Sequence, residues 1–294
     1  MTGDGSTDTP SDVTGSTSTD VDRDDSVSTD RPGATAGKAA SVALVTGGGS
    51  GIGASICRWL GRHGVDIVVA DIDEASVHEV ADDIDASSDA DARPVVADVT
   101  EQSSVERMVG TVGETFGHLD YLFANAGVAG PVDPTETSYE DWQSVIDVNL
   151  NGVYLTIATA VDLLREGENP GHVVVTASIS GRKPKPVMIP YRVSKAAVLM
   201  LTHCLAARLG PDIKVNALCP GPIDSPLMRE NYEKRAEVSG VPVEELRARR
   251  NEGVPLGRAA QTEDLHQILE LLLFKDAFLT GQEFYVDGGD HQVF

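Results

Sequence analysis

The chain has 294 residues, of which 46 are acidic and 23 are basic, so its formal net charge at pH 7 is −23. So strong a negative charge repels nucleic acid and anionic membrane surfaces, and we expect neither as a partner. With only seven lysines, the composition is typical of cytosolic proteins from organisms that accumulate salt, because the screening length at molar salt is only about 3 Å. We therefore expect a halophilic protein.

In chain order, residues 1–38 come first and consist mostly of Asp, Ser, Thr and Gly, without Leu, Ile or aromatic residues. Such a segment cannot bury enough apolar surface to offset the entropy of ordering, and we expect a disordered, solubilising tail. From residue 39 to residue 294, short runs rich in β-branched residues alternate with helical patterns. This alternation predicts a single domain made of βαβ units.

The predicted strands and helices define a fold class. The predicted strands are 41–45, 65–70, 93–99, 119–127, 171–178, 213–221 and 281–289. The helical patterns include 52–62, 101–116, 139–164, 191–209 and 261–274. Several strands are apolar without alternation, as expected when helices cover both faces of a sheet. The sequence thus predicts an α/β fold: a doubly wound Rossmann-type domain with a mostly parallel sheet of about seven strands and helices on both faces.

The cysteines and the hydropathy pattern indicate the compartment. No run approaches the ~20 uninterrupted apolar residues of a membrane-spanning helix, and the N-terminus lacks the features of a signal peptide. Cys57, Cys204 and Cys219 form no C-x-x-C pair. We expect no disulfide framework, a buried free thiol at Cys204 because it lies in an apolar helical run, and a cytoplasmic location. The histidines show no metal-ligand spacing, so no metal site is predicted.

A glycine-rich loop follows the first predicted strand and leads into the first helix. Thr46, Gly47, Gly51 and Gly53 match the spacing T-G-x-x-x-G-x-G, and the helix is expected to begin near Ile52. Glycines allow the backbone to approach a pyrophosphate, and the helix N-terminus offers free N–H groups and the positive end of its dipole. Between a strand and a helix, this loop predicts dinucleotide binding.

The end of the second strand predicts which dinucleotide is preferred. Asp71 lies 18 residues beyond Gly53, where a carboxylate can accept hydrogen bonds from ribose hydroxyls and would repel a 2′-phosphate. No lysine or arginine stands in the glycine loop to offset this charge, and Ser50 occupies the position before Gly51. We therefore expect NAD in preference to NADP.

Tyr191 and Lys195 lie four residues apart at the start of the predicted helix 191–209, so they share one face of that helix. A tyrosine has an ordinary pKa near 10, and a base that works near neutrality needs this value lowered by roughly 2–3 units. A nearby ammonium group and the positive nicotinamide ring would stabilise the phenolate in that direction. Tyr and Lys at this spacing often occur by chance, as the edge of an ordinary amphipathic helix, so the interpretation of the pair depends on the rest of the chain.

The chain as a whole resembles the short-chain dehydrogenase/reductase family, in its NAD(P)-dependent Rossmann-type branch. The motifs that carry the resemblance are TGGGSGIG (46–53), ANAG (124–127), Asn149 in VNLNG, Ser178 in TASISG, YRVSK (191–195), PGPIDS (220–225) and VDGG (286–289). They cover essentially all of residues 41–290 in the family's order and spacing. Two departures are visible: Ala124 stands where the family often has a second asparagine, and Ser225 replaces the usual threonine but keeps the hydroxyl.

The resemblance implies an enzyme that transfers hydride, with four catalytic residues. Tyr191 would exchange the proton of the substrate hydroxyl. Lys195 would lower the Tyr191 pKa and bind the nicotinamide ribose. Ser178 would hydrogen-bond the reacting oxygen and stabilise the charge that develops on it. Asn149 would hold a water of the proton relay behind Lys195.

The resemblance also implies a set of NAD-binding residues. The expected set is Gly47, Ser50, Gly51, Ile52, Gly53, Asp71, Ile72, Asp98, Val99, Asn125, Ala126, Gly127, Tyr191, Lys195, Pro220, Gly221, Ile223 and Ser225. Within it, Asp98 and Val99 would border the adenine. Ile223 and Ser225 would contact the nicotinamide carboxamide.

Two basic segments are candidates for recognising the substrate: the loop between Ser178 and Tyr191, and a lid segment at about 224–258. The cations of the two segments are Arg182, Lys183, Lys185, Arg229, Lys234, Arg235, Arg247, Arg249, Arg250 and Arg258. One hypothesis is that some of them face an anionic substrate such as a sugar acid, a hydroxy acid or an acyl thioester. The alternative is that they form salt bridges on solvated lid helices, because seven acidic residues lie in the same lid segment.

The sequence predicts an NAD-dependent oxidoreductase acting on a secondary alcohol or ketone, with a sugar, polyol or sugar acid as first choice. A 3-oxoacyl-thioester-type reductase is the alternative, although its usual NADP preference conflicts with Asp71. A dinucleotide-binding sensor without catalysis is disfavoured because all four expected catalytic residues are present. The resemblance further suggests a homotetramer in which helices 139–164 and 191–209 pack across one interface.

Overall fold

The computed structural model describes residues 40–167, 169–275 and 277–292, so the predicted tail at 1–38 lies outside the described residues. The described part contains a seven-stranded sheet in which every neighbouring pair of strands is parallel. In chain order the strands are β1 (Val42–Thr46), β2 (Asp66–Asp71), β3 (Ala92–Val96), β4 (Tyr121–Ala124), β5 (Gly171–Thr176), β6 (Ile213–Pro220) and β7 (Glu283–Val286). Their order across the sheet is β3-β2-β1-β4-β5-β6-β7. The predicted doubly wound parallel sheet is confirmed.

Helices connect these strands and cover the sheet. They are α1 (Gly51–Arg62), α2 (Glu74–Ser87), α3 (Gln102–Phe116), α4 (Tyr139–Ile146), α5 (Gly152–Arg165), α6 (Ile189–Leu209), α7 (Pro226–Ser239), α8 (Val243–Glu252) and α9 (His266–Phe274). A π-helical turn, Asp147–Asn151, joins α4 to α5. The lid segment predicted at 224–258 thus consists mainly of α7 and α8.

Each face of the sheet packs against its own set of helices, and successive residues of β1 alternate between the two. Val42 and Leu44 belong to an apolar cluster with α3, α5 and α6. Ala43 and Val45 belong to a second cluster with α1, α2 and α9. Because both faces are covered, the four residues Val42 to Val45 of β1 are all apolar and buried, without the alternation of a strand that has one solvated face.

The predicted strands extend too far at their carboxyl ends. The run predicted at 93–99 ends as a strand at Val96, the run at 119–127 ends at Ala124, and the run at 281–289 ends at Val286. The residues that follow leave the sheet as loops at its carboxyl edge. Helix α2 was not among the predicted stretches, although its buried Val77, Val80, Ala81 and Ile84 have helical spacing.

The prediction of a buried thiol at Cys204 is wrong, because that side chain is exposed. Helix α6 buries Val198, Thr202 and Ala206 against the sheet, and Cys204 lies on another face of the helix. The helix is apolar on several sides, so its hydropathy alone does not show which side faces the core. All three cysteines are free thiols, and Cys57 and Cys219 are the buried ones.

One helical stretch of the described chain, Tyr139–Arg165, is long and apolar enough by length and composition to cross a membrane. It comprises α4, the π-helical turn and α5. Its residues Val153, Ile157 and Leu164 are buried in the core cluster on one face of the sheet. A core helix passes the same test of length and composition, so the stretch is weak evidence for a membrane span.

The strand order reverses between β1 and β4, which are neighbours at the centre of the sheet. From β1 the chain proceeds outward through β2 and β3, and from β4 it proceeds in the other direction to β7. At such a point the loops after the two central strands separate and leave a crevice outside the carboxyl ends of the strands. Ligands bind in this crevice in doubly wound folds.

Candidate active site

The loop between β1 and α1 is closed tightly by glycines. Gly47 has a φ of 65°, in the left-handed region that favours glycine. A Cβ added at Gly53 would lie 2.0 Å from the carbonyl oxygen of Gly47, so only glycine allows α1 to begin this close to β1. Ser50, the N-cap of α1, makes no capping hydrogen bond with its side chain. The first N–H groups of α1 therefore keep the capacity to bind a phosphate group, which fits a dinucleotide.

Asp71 lies at the end of β2, beside this loop. One carboxylate oxygen accepts a hydrogen bond from the N–H of Gly49 at 3.1 Å, and the other accepts one from the N–H of Asp73 at 3.3 Å. The carboxylate therefore holds the glycine loop as well as placing a negative charge beside it. Sequence reasoning predicted the charge and did not predict the contact with the loop.

The residues expected near the adenine lie in different surroundings. Ile72 is 67% exposed, and such an apolar surface fits a flat ring. Asp98 accepts hydrogen bonds from the N–H and the hydroxyl of Thr100 at 2.9 and 2.7 Å. Val99 is buried, and its Cγ2 lies 2.8 Å from the position that a Cβ on Gly152 would occupy. The side chain of Val99 therefore packs against α5.

Asn125 connects the carboxyl ends of the three central strands. Its Nδ2 donates to the carbonyl oxygens of Thr46 and Gly47 at 3.0 and 3.2 Å. Its Oδ1 accepts a hydrogen bond from the hydroxyl of Thr176 at 3.0 Å. Thr46 in turn accepts hydrogen bonds from the N–H groups of Asn125 and Ala126 through its hydroxyl. Asn125 lines the cavity as predicted, and its polar atoms mainly fix the geometry of the strand ends.

Ser178, Tyr191 and Lys195 meet at this carboxyl edge. Tyr191 lies in the first turn of α6, and the Nζ of Lys195 is 5.7 Å from the centroid of its ring. The Tyr191 hydroxyl is hydrogen-bonded to Ser178. Ser178 follows β5 and caps a 3₁₀ turn, where its hydroxyl accepts a hydrogen bond from the N–H of Ser180 at 3.1 Å. The structure thus brings together three of the four predicted catalytic side chains.

Burial has the largest effect on the protonation of this group. Desolvation raises the pKa of Tyr191 above its ordinary value, against the opposing effects of the Ser178 hydrogen bond and the Arg192 charge. Desolvation also lowers the pKa of Lys195, which is 3% exposed, to about 8. The chain's own residues therefore do not produce the low Tyr191 pKa that the sequence analysis expected of Lys195. A further positive charge at the site, such as that of an oxidised nicotinamide ring, would act in the lowering direction.

Asn149 lies in the π-helical turn and is fully buried. Its Nδ2 donates to the carbonyl oxygen of Val128 at 2.9 Å and to the hydroxyl of Ser194 at 3.1 Å, while its Oδ1 accepts from the Val128 N–H at 2.8 Å. Lys195 donates instead to the carbonyl oxygen of Thr176 at 2.6 Å. Both amide hydrogens of Asn149 are thereby used to hold the segment after β4 against α6, and only Oδ1 keeps an acceptor position. Its predicted role in binding a water stays a prediction.

A cavity of about 310 Å³ opens on these residues. The predicted site residues that line it are Ser50, Gly51, Ile52, Asn125, Gly127, Ser178, Tyr191, Lys195, Pro220, Gly221, Ile223 and Ser225. The remaining predicted residues, Gly47, Gly53, Asp71, Ile72, Asp98, Val99, Ala126 and Asn149, support the loops around it or lie on the adenine side. Gly127 packs closely against two of the predicted catalytic side chains: a Cβ there would lie 3.2 Å from the Oδ1 of Asn149, a tight contact, and 3.6 Å from the Nζ of Lys195, an ordinary one.

Sequence reasoning missed several residues that line this cavity. Met188, just before α6, has a φ of 52°, which is strained for a residue with a side chain. The Nδ2 of Asn231 in α7 lies 3.1 Å from the Sδ of Met188. Arg192 and Asp290 also line the cavity. Arg192 follows Tyr191 directly in a chain poor in cations, and this position could have indicated that it lies at the site. Nothing in the sequence indicated the conformation of Met188.

The structure divides the cations of the two basic segments. Six lie in ion pairs away from the cavity lining: Arg182 with Glu283, Arg229 and Arg247 with Asp224, Lys234 with Glu230, Arg249 with Glu245, and Arg258 with Asp264. The other four, Lys183, Lys185, Arg235 and Arg250, line the cavity. The salt-bridge alternative is therefore correct for the first set.

The fold and the site define a class of protein: an oxidoreductase with a dinucleotide site at the switch point of a parallel sheet. Comparison with known proteins agrees. The family model described as enoyl-(acyl carrier protein) reductase matches residues 47–291. Cyclohexanol dehydrogenase from Acinetobacter sp. (strain SE19) is 36% identical over 250 residues, which are 84% of this chain and 93% of that protein. The chain belongs to the short-chain dehydrogenase/reductase family.

Solved structures give the same result. The structure of NAD⁺-bound xylitol dehydrogenase matches with a TM-score of 0.80 at 29% identity, covering 85% of this chain and 98% of that one. The structure of a variant of actinorhodin polyketide ketoreductase with NADPH matches with a TM-score of 0.80 at 31% identity, covering 86% and 97%. This protein is therefore an enzyme that acts on alcohols or ketones with a nicotinamide cofactor. The two structures hold different cofactors, so the family leaves the choice between NAD and NADP open.

Proposed function

We propose that this protein is an NAD-dependent dehydrogenase that oxidises a secondary alcohol to the ketone, in a sugar, a polyol or a sugar acid. The observation that carries the proposal is that Ser178, Tyr191 and Lys195 open on the same cavity as the N-terminus of α1. The carboxylate of Asp71, fixed beside the glycine loop, supports NAD over NADP because it would repel a 2′-phosphate.

The residues of the site divide the work of this reaction between binding the cofactor and moving the proton. When bound, the oxidised dinucleotide supplies the acceptor for the hydride. The N-terminus of α1 binds its pyrophosphate, and Asp71 accepts hydrogen bonds from the adenosine ribose. Ser178 orients the substrate hydroxyl, and Tyr191 takes its proton as the carbonyl forms. Lys195, held by the carbonyl oxygen of Thr176, places its ammonium group beside the Tyr191 ring.

A reductase acting on 3-oxoacyl thioesters is the second candidate. The description of the matching family model and the likeness to a polyketide ketoreductase favour it. The position of Asp71 disfavours it, since that carboxylate would oppose NADPH binding.

NADH formation from NAD⁺ in molar KCl tests the proposal. The substrates are xylitol, sorbitol, gluconate and 3-hydroxybutyrate, and the reverse arm offers a 3-oxoacyl thioester with NADH or NADPH. The matched variant is Tyr191→Phe, which should lower kcat by roughly 10²–10⁴-fold while NAD still binds. Thioester reduction with NADPH alone would establish the second candidate. Normal NAD binding without turnover in either direction would contradict both and indicate a sensor without catalysis.

We also propose that the protein works as a homotetramer in a salt-rich cytoplasm. The net charge of −23 supports the salt-rich setting, because self-repulsion of this size needs screening. Three apolar side chains on α5 and α6 support self-association: Tyr154, Val193 and Met200 are 54%, 42% and 62% exposed. A partner subunit that packs on α5 and α6 would remove these side chains from water.

A further inference from the structure

The cavity beside the catalytic residues is cationic, although the chain is acidic. Among the described residues that line it, six carry a positive side chain and one carries a carboxylate. The cations are Lys183, Lys185, Arg192, Lys195, Arg235 and Arg250, and the carboxylate is Asp290. The whole chain has twice as many acidic as basic residues, so this local composition is the reverse of the average.

Asp290 neutralises only part of this charge. Its carboxylate oxygens contact the Nζ of Lys183 at 3.0 Å and the guanidinium of Arg250 at 2.5 Å, and its side chain is 3% exposed. Two cations therefore share one carboxylate. The contact connects α8 and the loop before α6 to the end of the chain after β7.

Arg192 makes its contacts with neutral groups. Its guanidinium donates to the carbonyl oxygens of Val187 and Lys183 at 2.8 and 2.6 Å. These bonds hold the loop before α6, and they leave the positive charge of Arg192 uncompensated beside Tyr191. Among the described residues that line the cavity, Asp290 is the only carboxylate that opposes the field of these cations on a bound anion.

Lys185 and Arg235 line the cavity, and within the described ranges neither forms an ion pair with a carboxylate. The charge of Asp290 acts on Lys185, but its effect is smaller than those of the neighbouring cations. Burial, and then the charges of neighbouring cations with Arg250 first, lower the pKa of Lys185. Cations that repel one another in this way are stabilised by an anion bound between them. The guanidinium fork of Arg235 matches the two oxygens of a carboxylate.

We propose that the substrate carries a carboxylate, which Lys185 and Arg235 bind while its alcohol carbon reaches Ser178 and Tyr191. The inference rests on the proposed function and narrows the substrate to a hydroxy acid or sugar acid. The C–H hydrogen of the alcohol carbon leaves as hydride to NAD⁺, and the hydroxyl proton passes to Tyr191. The alcohol is thereby oxidised to a ketone and NAD⁺ is reduced to NADH. The carboxylate is unchanged, so the product is an oxo acid.

Matched substrates test the charge directly. 3-Hydroxybutyrate is compared with its methyl ester, and gluconate with sorbitol, all in the same molar KCl. A third pair, 3-hydroxybutyryl-coenzyme A and the neutral 3-hydroxybutyryl N-acetylcysteamine thioester, shows whether phosphates rather than a carboxylate supply the anion. The protein is used as the full chain, and NADH formation is followed by absorbance.

Two variants and two controls complete the design. Lys185→Gln and Arg235→Gln should each lower kcat/KM for the acids by about tenfold or more, chiefly through KM, as expected for losing a hydrogen bond to a charged group. They should change kcat/KM for the methyl ester by less than about twofold, because the ester offers no charge to lose. Lys234→Gln and Arg249→Gln remove lid cations that pair with Glu230 and Glu245 at the surface. They should leave every rate unchanged.

The outcomes separate the two proposals. The carboxylate proposal fails if the esters and neutral alcohols react as well as the acids and the variants leave the ratio of kcat/KM for acid over ester unchanged. The proposed dehydrogenase function is kept in that case. A preference confined to the coenzyme A thioester, and lost in Lys185→Gln, assigns the cations to a phosphate and also overturns the carboxylate. Absence of NADH formation with every compound, in protein that still binds NAD, contradicts the proposed function and this inference with it.

Discussion

Replacing Lys195 by methionine should stabilise the protein near neutral pH while abolishing turnover. The pKa of this buried lysine is lowered from 10.5 to about 8, and the difference corresponds to about 3 kcal/mol of destabilisation when the group is charged. The variant also loses the hydrogen bond from Nζ to the carbonyl oxygen of Thr176, 2.6 Å long, which is worth about 1.5–3 kcal/mol. The expected net gain at pH 7 is therefore about 0–2 kcal/mol.

The pH dependence of this difference is the sharper test. The unfolded chain binds the Lys195 proton more tightly than the folded protein, so wild-type stability rises with pH between about 8 and about 10.5. Below that window the penalty for burying the charge is fully present, and above it the lysine is neutral in both states. Relative to wild type, the stability of Lys195→Met should thus fall by about 3 kcal/mol between pH 7 and pH 10.5.

Urea unfolding in molar KCl, without NAD and at one fixed protein concentration, measures this difference. The fixed concentration matters because self-association would contribute to the apparent stability. Lys234→Met is the control, since that lysine is half exposed and pairs with Glu230 at the surface, and its difference from wild type should stay near zero at every pH. A Lys195→Met difference that is constant from pH 7 to pH 10.5 would refute the argument that burial destabilises Lys195.

Three further predictions follow from the site and the surface. Asp71→Ser should raise the ratio of kcat/KM for NADP over that for NAD by on the order of tenfold, because a like charge near the 2′-phosphate is removed; an unchanged ratio would show that Asp71 acts only on the Gly49 loop. Gly53→Ala should cost 1–3 kcal/mol or more and weaken NAD binding, since its Cβ would lie 2.0 Å from a carbonyl oxygen, about the cost of overpacking. The control Gly110→Ala, on the exposed face of α3 with nothing within 4 Å of its Cβ, should stabilise by about 0.5–1 kcal/mol. Light scattering in molar KCl should give the mass of four subunits, and a mass of one subunit would refute the tetramer.

The sheet was predictable because its signal is local. The central strands are short β-branched runs between helical patterns, and burial on both faces makes most of their residues apolar. The strand ends were less predictable, because the residue types of chain segments such as 125–127 and 287–289 do not show where the backbone stops pairing with the neighbouring strand. Helix α2 carries helical spacing among many acidic residues, and it was not singled out.

The candidate site was predictable where spacing alone places groups together. Tyr191 and Lys195 share a face because they are four residues apart on one helix. The direction of the Tyr191 pKa was not predictable, because it depends on how much of the fold surrounds the ring. Nor could the sequence separate Lys234 from Arg235, which are neighbours in the chain, although α7 directs the first to Glu230 and the second to the cavity.

Salt affects the acidic surface and the cationic cavity of the protein differently. At 0.1 M salt the screening length is about 10 Å, so a chain of net charge −23 repels an anionic substrate well before contact. At molar salt the length falls to about 3 Å, and only charges at contact distance still act on the substrate. Lys185 and Arg235 lie where such contact is made, in the lining of the cavity. Molar salt therefore removes the repulsion by the surface and leaves the attraction within the site, which makes an anionic substrate compatible with so acidic a protein.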